Sequence, residues 1–298
     1  MLGLLNVNKP LGKTSRDAVN RVQRLVRPVK VGHAGTLDPL ATGVLVICLG
    51  PATRLIQYVQ QLPKQYTGTF LLGRRSDSDD LEGEVVELEN PVVPTADEVL
   101  AALPQFVGTI QQRPPIFSAI KVNGARAYDL ARAGKDVQLE ARPVTIHDLR
   151  VARYEYPELV LEIGCGSGTY IRSLGRDLGE SLGTAAIMSS LERTAIGDFT
   201  VASAIDLNDL TEDSLEKHLL PAEAAVRHLN AVELTTDEIH KLGNGLSIER
   251  PQHGFHSDIA AFDAAGHLVA IVAARSADQL RPISNLAVAA AHAASQGN

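Results

Sequence analysis

Cysteine is nearly absent: only Cys48 and Cys165 occur in 298 residues. They stand far apart and form no Cys-x-x-Cys pair, so neither a disulfide framework nor a cysteine-based zinc site can be built from them. A reducing, cytoplasmic setting is expected. Long hydrophobic runs are missing too. The start, Met1 to Leu5, is apolar but reaches Asn6 and Lys9 before a secretory core of roughly 7 to 15 residues can form. The stretch 39–53 is uncharged but is interrupted by Gly43, Gly50 and Pro51, and it falls short of the roughly 18 residues a membrane span requires. No export and no membrane anchor are expected. Nor is there an excess of basic charge. The formal net charge of -7 excludes a uniformly basic coat for nucleic acid, and a hydrophobic content of 45% excludes a disordered chain.

The charge that is present is unevenly spread. Residues 1–60 hold eight Lys or Arg against Asp17 and Asp38, a surplus of +6, so the remainder carries -13. That leaves room for an anion-binding face on an otherwise acidic protein. The length allows one large domain, or a large and a small one. Gly3 to Val7 reads as a strand and Lys9-Pro-Leu-Gly12 as a turn. Ser15 is placed to cap a helix in which Ala18, Val19, Val22, Leu25 and Val26 recur at helical spacing until Pro28. The other face of that helix carries Arg16, Arg21, Arg24 and Arg27. Gly43–Leu49 reads as a buried strand, Tyr66–Leu72 and Leu159–Cys165 as further strands, and 96–103 and 125–133 as helices. Ile171, Leu174 and Leu178 form one face of another helix. Residues 215–229 read as a helix and linker, 231–246 with 259–273 as a strand-rich region, and 286–296 as a frayed helix or disordered tail. Without a strict strand-helix-strand rhythm, the pattern favours α+β.

Two glycine-rich segments invite other functions. Gly12-Lys13-Thr14-Ser15 resembles the end of a phosphate loop, but Val7 occupies the position where that motif needs an earlier glycine. Leu159 to Gly168 resembles the cofactor turn of S-adenosylmethionine-dependent methyltransferases. The second strand with its terminal acid, due roughly 20 residues later, is replaced by Thr184-Ala-Ala-Ile-Met188. An RNA methyltransferase is therefore the runner-up.

The most informative stretch is Gly32-His33-Ala34-Gly35-Thr36-Leu37-Asp38-Pro39-Leu40-Ala41-Thr42-Gly43, in which one carboxylate sits among small, turn-forming residues. It resembles the catalytic motif of the TruB family of tRNA pseudouridine synthases. Further segments resemble that family in the same order: Asn8-Lys9-Pro10 with Gly12 to Ser15, Lys64-Gln65-Tyr66, Ser76 to Asp80 with Gly83, Pro114 to Gly124, Gly168-Thr-Tyr170-Ile-Arg172, and Leu191-Glu-Arg193-Thr. Together they span residues 3–200.

The resemblance implies an isomerase that converts uridine 55 in the T loop of tRNA to pseudouridine, with tRNA as partner and without cofactor or metal. A synthase acting on another RNA is the related alternative. It implies Asp38 as nucleophile, Arg172 as the cation that keeps it ionised, and Tyr66 as the ring that stacks on the target base. Tyr170 and Leu191 would complete the pocket wall, and His33 would fill the gap left by the flipped nucleotide. Lys9 and Pro10 would buttress the catalytic loop at the RNA-binding face. Asp80 would anchor a loop while the other acids of its run are solvated. Lys64, Arg74, Arg75, Lys121, Arg126, Arg132 and Lys135 would extend the RNA-binding surface. The implied fold is an α+β catalytic domain over 1–228, with a central mixed, mainly antiparallel sheet flanked by helices and loops. A small strand-rich, PUA-like domain over 229–298 would follow it. A monomer is expected.

Overall fold

Six consecutive apolar residues, Val44 to Leu49, are all fully buried because the strand that carries them is covered on both faces. Leu45, Ile47 and Leu49 join a core with Leu5, Val7, Ala18 and Val22. Val44, Val46 and Cys48 join another with Leu4, Leu55, Tyr58 and Ile196. The side chains alternate with period two, yet both sides are apolar, which turns the usual alternation into a continuous run.

The computed structural model describes residues 1–118, 120–122, 125–128, 139–250 and 258–286. The strands of the main sheet are β1 (Gly3–Lys9), β2 (Val31–His33), β3 (Ala41–Leu49), β4 (Lys64–Leu72), β5 (Gly108–Gln112), β6 (Arg142–Glu155), β7 (Glu158–Cys165), β8 (Ala186–Ile196), β9 (Phe199–Thr200) and β10 (Ile205–Asp206). Their order is β10-β1-β3-β8-β4-β7-β6-β5, with β2 beside β3 and β9 beside β8. Only β1 with β10 and β3 with β8 run parallel. The sheet is thus mixed and mainly antiparallel, and the α+β expectation holds.

Helix α1 (Ser15–Leu25) covers one face of β1 and β3 through Ala18 and Val22. Short helices α2 (Ile56–Gln61) and α3 (Ala96–Ala102) follow β3 and precede β5. Helix α4 (Ile171–Ser181) presses Ile171, Leu174 and Leu178 onto the core that holds Phe70, Leu161 and Leu191. After α5 (Glu212–His218) comes a second sheet, β11 (Asn230–Glu233), β12 (Ile248–Glu249), β13 (Ile259–Phe262), β14 (Leu268–Ser276) and β15 (Gln279–Asn285), in the order β11-β13-β14-β15-β12. Its helix α6 (Thr236–Gly243) lies within the stretch read as strand-rich. Ala260, Leu268 and Ile271 share a core with Tyr58, Ala222 and Val226, and the Tyr58 hydroxyl donates to Asp258 Oδ2 at 2.7 Å.

Several sequence expectations change. Thr14, not Ser15, caps α1: its hydroxyl accepts from Asp17 N–H at 3.0 Å while Asp17 accepts from Thr14 N–H at 2.9 Å. This reciprocal pair satisfies two orphan donors, which one serine could not. Arg21 is not part of a free basic face. Its guanidinium donates to the carbonyls of Leu207, Asn208 and Leu210 at 2.6, 2.8 and 3.0 Å, fastening α1 to the segment before α5. Pro221 divides 215–229 into α5 and a short turn of helix, Ala222–Ala225. Ala125–Arg126 is not helical but pairs with Lys121–Val122 as a two-stranded ladder. The Asn-Gly dipeptide between them is a hairpin signal that outweighs the helical spacing. Ala127 and Tyr128 are helical as expected, while residues 129–133 of that helix, together with Lys135, the side chains of Lys121 and Arg126 and the tail beyond Leu286, lie outside the described residues.

The glycine-rich segment from Leu159 to Gly168 also differs from a cofactor loop. Strand β7 is antiparallel to both neighbours. The turn after it is occupied by its own chain, since Gly166 N–H donates to Thr145 O at 2.8 Å and Arg142 donates to Gly168 O at 2.8 Å. A phosphate or ribose would find these groups already engaged.

A Cβ built on Gly175 of α4 would overlap the ring of buried Phe70. Gly175→Ala should therefore destabilise the protein by about 1 to 3 kcal/mol through overpacking, although alanine favours helix. Urea unfolding of Gly175→Ala alone and with Phe70→Leu checks this, and the smaller residue should return part of the loss.

Candidate active site

The loop between β2 and β3 is held from four directions, which fixes the carboxylate at its centre. Ser15 Oγ accepts from Leu37 N–H at 2.8 Å and donates to Leu37 O at 3.2 Å. Gly12 N–H donates to Pro39 O at 2.9 Å, so the turn after β1 supports the residue that follows Asp38. That turn is itself fastened by Lys9, whose fully buried Nζ donates to the carbonyls of Pro10 at 3.0 Å and Lys13 at 2.5 Å. Asp38 O accepts from Ala41 N–H at 3.0 Å as the loop enters β3. From the far side Arg193 donates to Gly35 O at 3.1 Å and to Thr36 O at 3.4 Å.

Asp38 meets Arg172 at the start of α4, Oδ2 to Nε, at 3.0 Å, with side-chain exposures of 36% and 7%. The carboxylate is therefore open to a ligand while the cation is not. Arg172 also donates from Nη1 to Ser78 O at 2.9 Å and from Nη2 to Phe117 O at 3.1 Å, and Nη1 lies 3.4 Å from Asp80 Oδ2. Asp80 is 1% exposed. Its Oδ1 accepts from Ser78 Oγ at 2.5 Å and Glu82 N–H at 3.0 Å.

The remaining acids of that run are not simply solvated. Only Asp77 is exposed; Asp79 is buried and pairs with Arg176 at 2.8 Å. Burial is the main force pushing the Asp79 carboxyl upward, and Arg176 opposes it. Glu82 was missed by sequence reasoning. Its carboxyl is pushed up by burial and by the nearby charges of Asp80 and Asp38.

Tyr66 is half-buried in β4, directly across the ladder from Arg193 of β8. Burial pushes its phenol upward. Leu191 is buried two residues from Arg193, paired with Gly68 and Ala41. Tyr170 is set by Gln112, whose Oε1 accepts from Tyr170 N–H at 2.8 Å and whose Nε2 donates to Tyr170 O at 3.0 Å. The Arg142 guanidinium lies 5.2 Å from the Tyr170 ring centroid. His33 ends β2 half-buried, with Nδ1 buried and lacking a hydrogen-bond partner. Burial pushes its imidazole down, aided by Arg16 and Arg193.

Lys64 does not extend a surface. It is buried, and its ammonium donates to Gln60 O. Arg74 pairs with Glu87 at 2.7 Å, which reduces its availability to phosphates. Among the described residues no group of three or more His, Cys, Asp or Glu is placed to hold a metal ion, and no helix is long and apolar enough to cross a membrane.

Comparison with known proteins gives a consistent result. Residues 23–171 match the family described as TruB family pseudouridylate synthase (N terminal domain), and residues 172–227 match the tRNA pseudouridylate synthase B C-terminal domain. The tRNA pseudouridine synthase B of Clostridium perfringens (strain 13 / Type A) is 43% identical over 249 residues, 83% of this chain and 85% of its own. That of Dehalococcoides mccartyi (strain ATCC BAA-2266 / KCTC 15142 / 195) is 42% identical over 276 residues, 91% and 92% of the two chains. A solved Cbf5-Nop10-Gar1 complex contains a chain with TM-score 0.71 at 28% identity, covering 93% of this chain and 79% of that one. A structure described as an H/ACA RNP bound to a substrate RNA containing 2'-deoxyuridine shares the fold, with TM-score 0.74 at 24% identity over 95% of this chain and 84% of that one.

The buried lysines make a pH prediction. Burial lowers Lys9 and Lys64 from 10.5 to about 8. Above pH 8 the folded chain releases these protons before the unfolded chain does, so the unfolded state binds more protons and stability rises with pH. The buried thiols of Cys48 and Cys165, pushed up to about 12 and about 11, oppose this only above their ordinary value of 9.0. Between pH 8 and 9 the unfolding free energy of wild type should therefore gain about 1 kcal/mol relative to Lys64→Met. Urea titrations of both proteins at half-unit pH steps measure the difference.

Proposed function

Because the chain belongs to the TruB family of pseudouridylate synthases, we propose that it acts on tRNA and isomerises uridine 55 of the T loop. The observation that carries the reading is the contact between a partly exposed Asp38 carboxylate and a buried Arg172 guanidinium. A nucleophilic carboxylate has to be reachable and held in place, and this pair supplies both conditions. The reaction breaks the bond from N1 to C1′, joins C1′ to C5, releases the proton of C5 and leaves N1 carrying a proton. Atoms balance within the nucleotide, so no co-reactant enters.

A uridine stacked in a folded loop has to leave the stack before C1′ and C5 become reachable, at a cost of a few kcal/mol. Tyr66 offers a ring for the extruded base, and Leu191 and Tyr170 supply apolar wall. His33, half-buried at the start of the same loop with its imidazole pushed down by burial, is suited to occupy the vacated space. Residues 1–228 form the catalytic domain in this reading, and 229–298 a small PUA-like domain that adds RNA contacts.

Phosphates meet the exposed part of α1. Arg16, Asn20 and Arg24 are exposed at helical spacing along one side, and Arg27 is exposed just beyond the helix end. Arg16 lies close enough to His33 to influence its imidazole, so the strip begins beside the catalytic loop.

Incubating wild type with unmodified tRNA and no added cofactor, followed by digestion, should convert one T-loop uridine to a nucleoside of equal mass and altered retention. Asp38→Asn should bind the tRNA within about 3-fold of wild type and show no turnover, because the amide keeps the size and loses the nucleophile. A mass gain of one methyl group would support the methyltransferase instead, and wild-type turnover by Asp38→Asn would remove Asp38 from the mechanism. Arg16→Glu with Arg24→Glu should weaken tRNA binding and lower its salt slope by about 2, since two phosphate contacts are lost. Filter binding across salt concentrations checks the slope.

A further inference from the structure

Arg193 stands at the junction of three strands. It is 2% exposed, and among the described residues its partners are carbonyl oxygens: Val44 O accepts from Nε at 2.8 Å, Gly35 O from Nη2 at 3.1 Å and Thr36 O from Nη1 at 3.4 Å. In the ladders it faces Tyr66 of β4 on one side and Gly43 of β3 on the other. Gly43 has φ +97°, and a Cβ there would overlap the Arg193 backbone. The sequence pattern contained this residue two positions after Leu191 but assigned it no task.

A guanidinium taken from water without a carboxylate partner is costly, and carbonyl dipoles compensate only part of the loss. An apolar side chain at this strand position would pack more favourably, so the charge has another use. Its three N–H groups reach both ends of the loop that presents Asp38. Gly35 and Thr36 precede the carboxylate, and Val44 follows it in β3. The Tyr66 side chain stands opposite Arg193 in the ladder, and the guanidinium's charge counteracts the effect of burial on its phenol.

We propose that Arg193 is a positioning residue for the isomerisation, holding the backbone that presents Asp38 and the side chain of Tyr66 from a single buried guanidinium. The proposal rests on the isomerase reading above. Nucleophile and stacking ring then share one reference point, although one comes from the loop before β3 and the other from β4. A displacement of about 1 Å at either one would cost on the order of 100-fold in rate. Lysine in place of Arg193 keeps the charge but lacks the planar fork that reaches three acceptors.

The test combines Arg193→Lys with Tyr66→Phe, each measured for single-turnover rate on T-arm uridine and for tRNA affinity. Arg193→Lys should lower the rate by about 30-fold or more while affinity stays within about 3-fold. In the Tyr66→Phe background the same change should cost at least about 5-fold less, because part of its effect passes through the missing hydroxyl. An equal loss in both backgrounds, or an unchanged rate for Arg193→Lys, overturns the proposal. Should the lysine variant not fold, Tyr66→Phe decides alone. A loss of about 10-fold with RNA binding intact supports the proposal, and the wild-type rate overturns it. A wild type that leaves tRNA uridine unchanged contradicts the isomerase reading itself.

Discussion

One buried guanidinium joins three parts of the chain at the site. Arg172 touches Asp38 in the loop before β3, Ser78 and Asp80 in the loop after β4, and the Phe117 carbonyl in the segment after β5. Asp80, nearly inaccessible to solvent, is tolerable as an anion only because this cation and two hydrogen-bond donors face it. Removing one partner of such a pair costs about 3 to 5 kcal/mol, chiefly by leaving the other charge stranded. The arrangement thus buries Asp80 against the cation and leaves Asp38, the more exposed carboxylate, open to a ligand. Helix α4 follows from the same constraint, since it presents Arg172 while its apolar face seals the core beneath.

The other buried cations obey a different rule. Lys9 and Arg193 donate to backbone carbonyls and not to carboxylates. Each immobilises a turn whose glycines would otherwise make it soft, Gly12 in one case and Gly35 in the other. Rigidity is thereby concentrated where a nucleotide has to be received in one orientation. The same cations place positive charge under a site that accepts a polyanion, which helps reconcile RNA binding with a net charge of -7.

Strands with a single dominant environment were legible in the sequence. The apolar run of β3 and the helical spacing of α1 and α4 were readable because local patterning and tertiary burial agree. What escaped were choices settled by geometry across the fold. Thr14 and Ser15 are both good caps, and only the need of Leu37 for a partner decides between them. Arg21 looks like its neighbours on α1 until the 207–210 carbonyls come within reach. Lys64 reads as a surface lysine, yet the ladder turns it inward two residues before Tyr66. The pairing of Asp38 with Arg172 came from family resemblance, because nothing in their separation along the chain foretells contact. Arg193 was in plain view within the same motif but acquired a task only through its neighbours in space.

Arg172 does two separable things: it neutralises buried Asp80 and it orients Asp38. Arg172→Met, alone and combined with Asp80→Asn, separates them when urea unfolding and single-turnover isomerisation of tRNA are measured on the same proteins. The account predicts that Arg172→Met loses both stability and turnover, and that adding Asp80→Asn restores much of the stability while the rate stays at least about 100-fold below wild type. Recovery of turnover together with stability would contradict it, and would reduce Arg172 to a scaffold for the loop that carries Asp80.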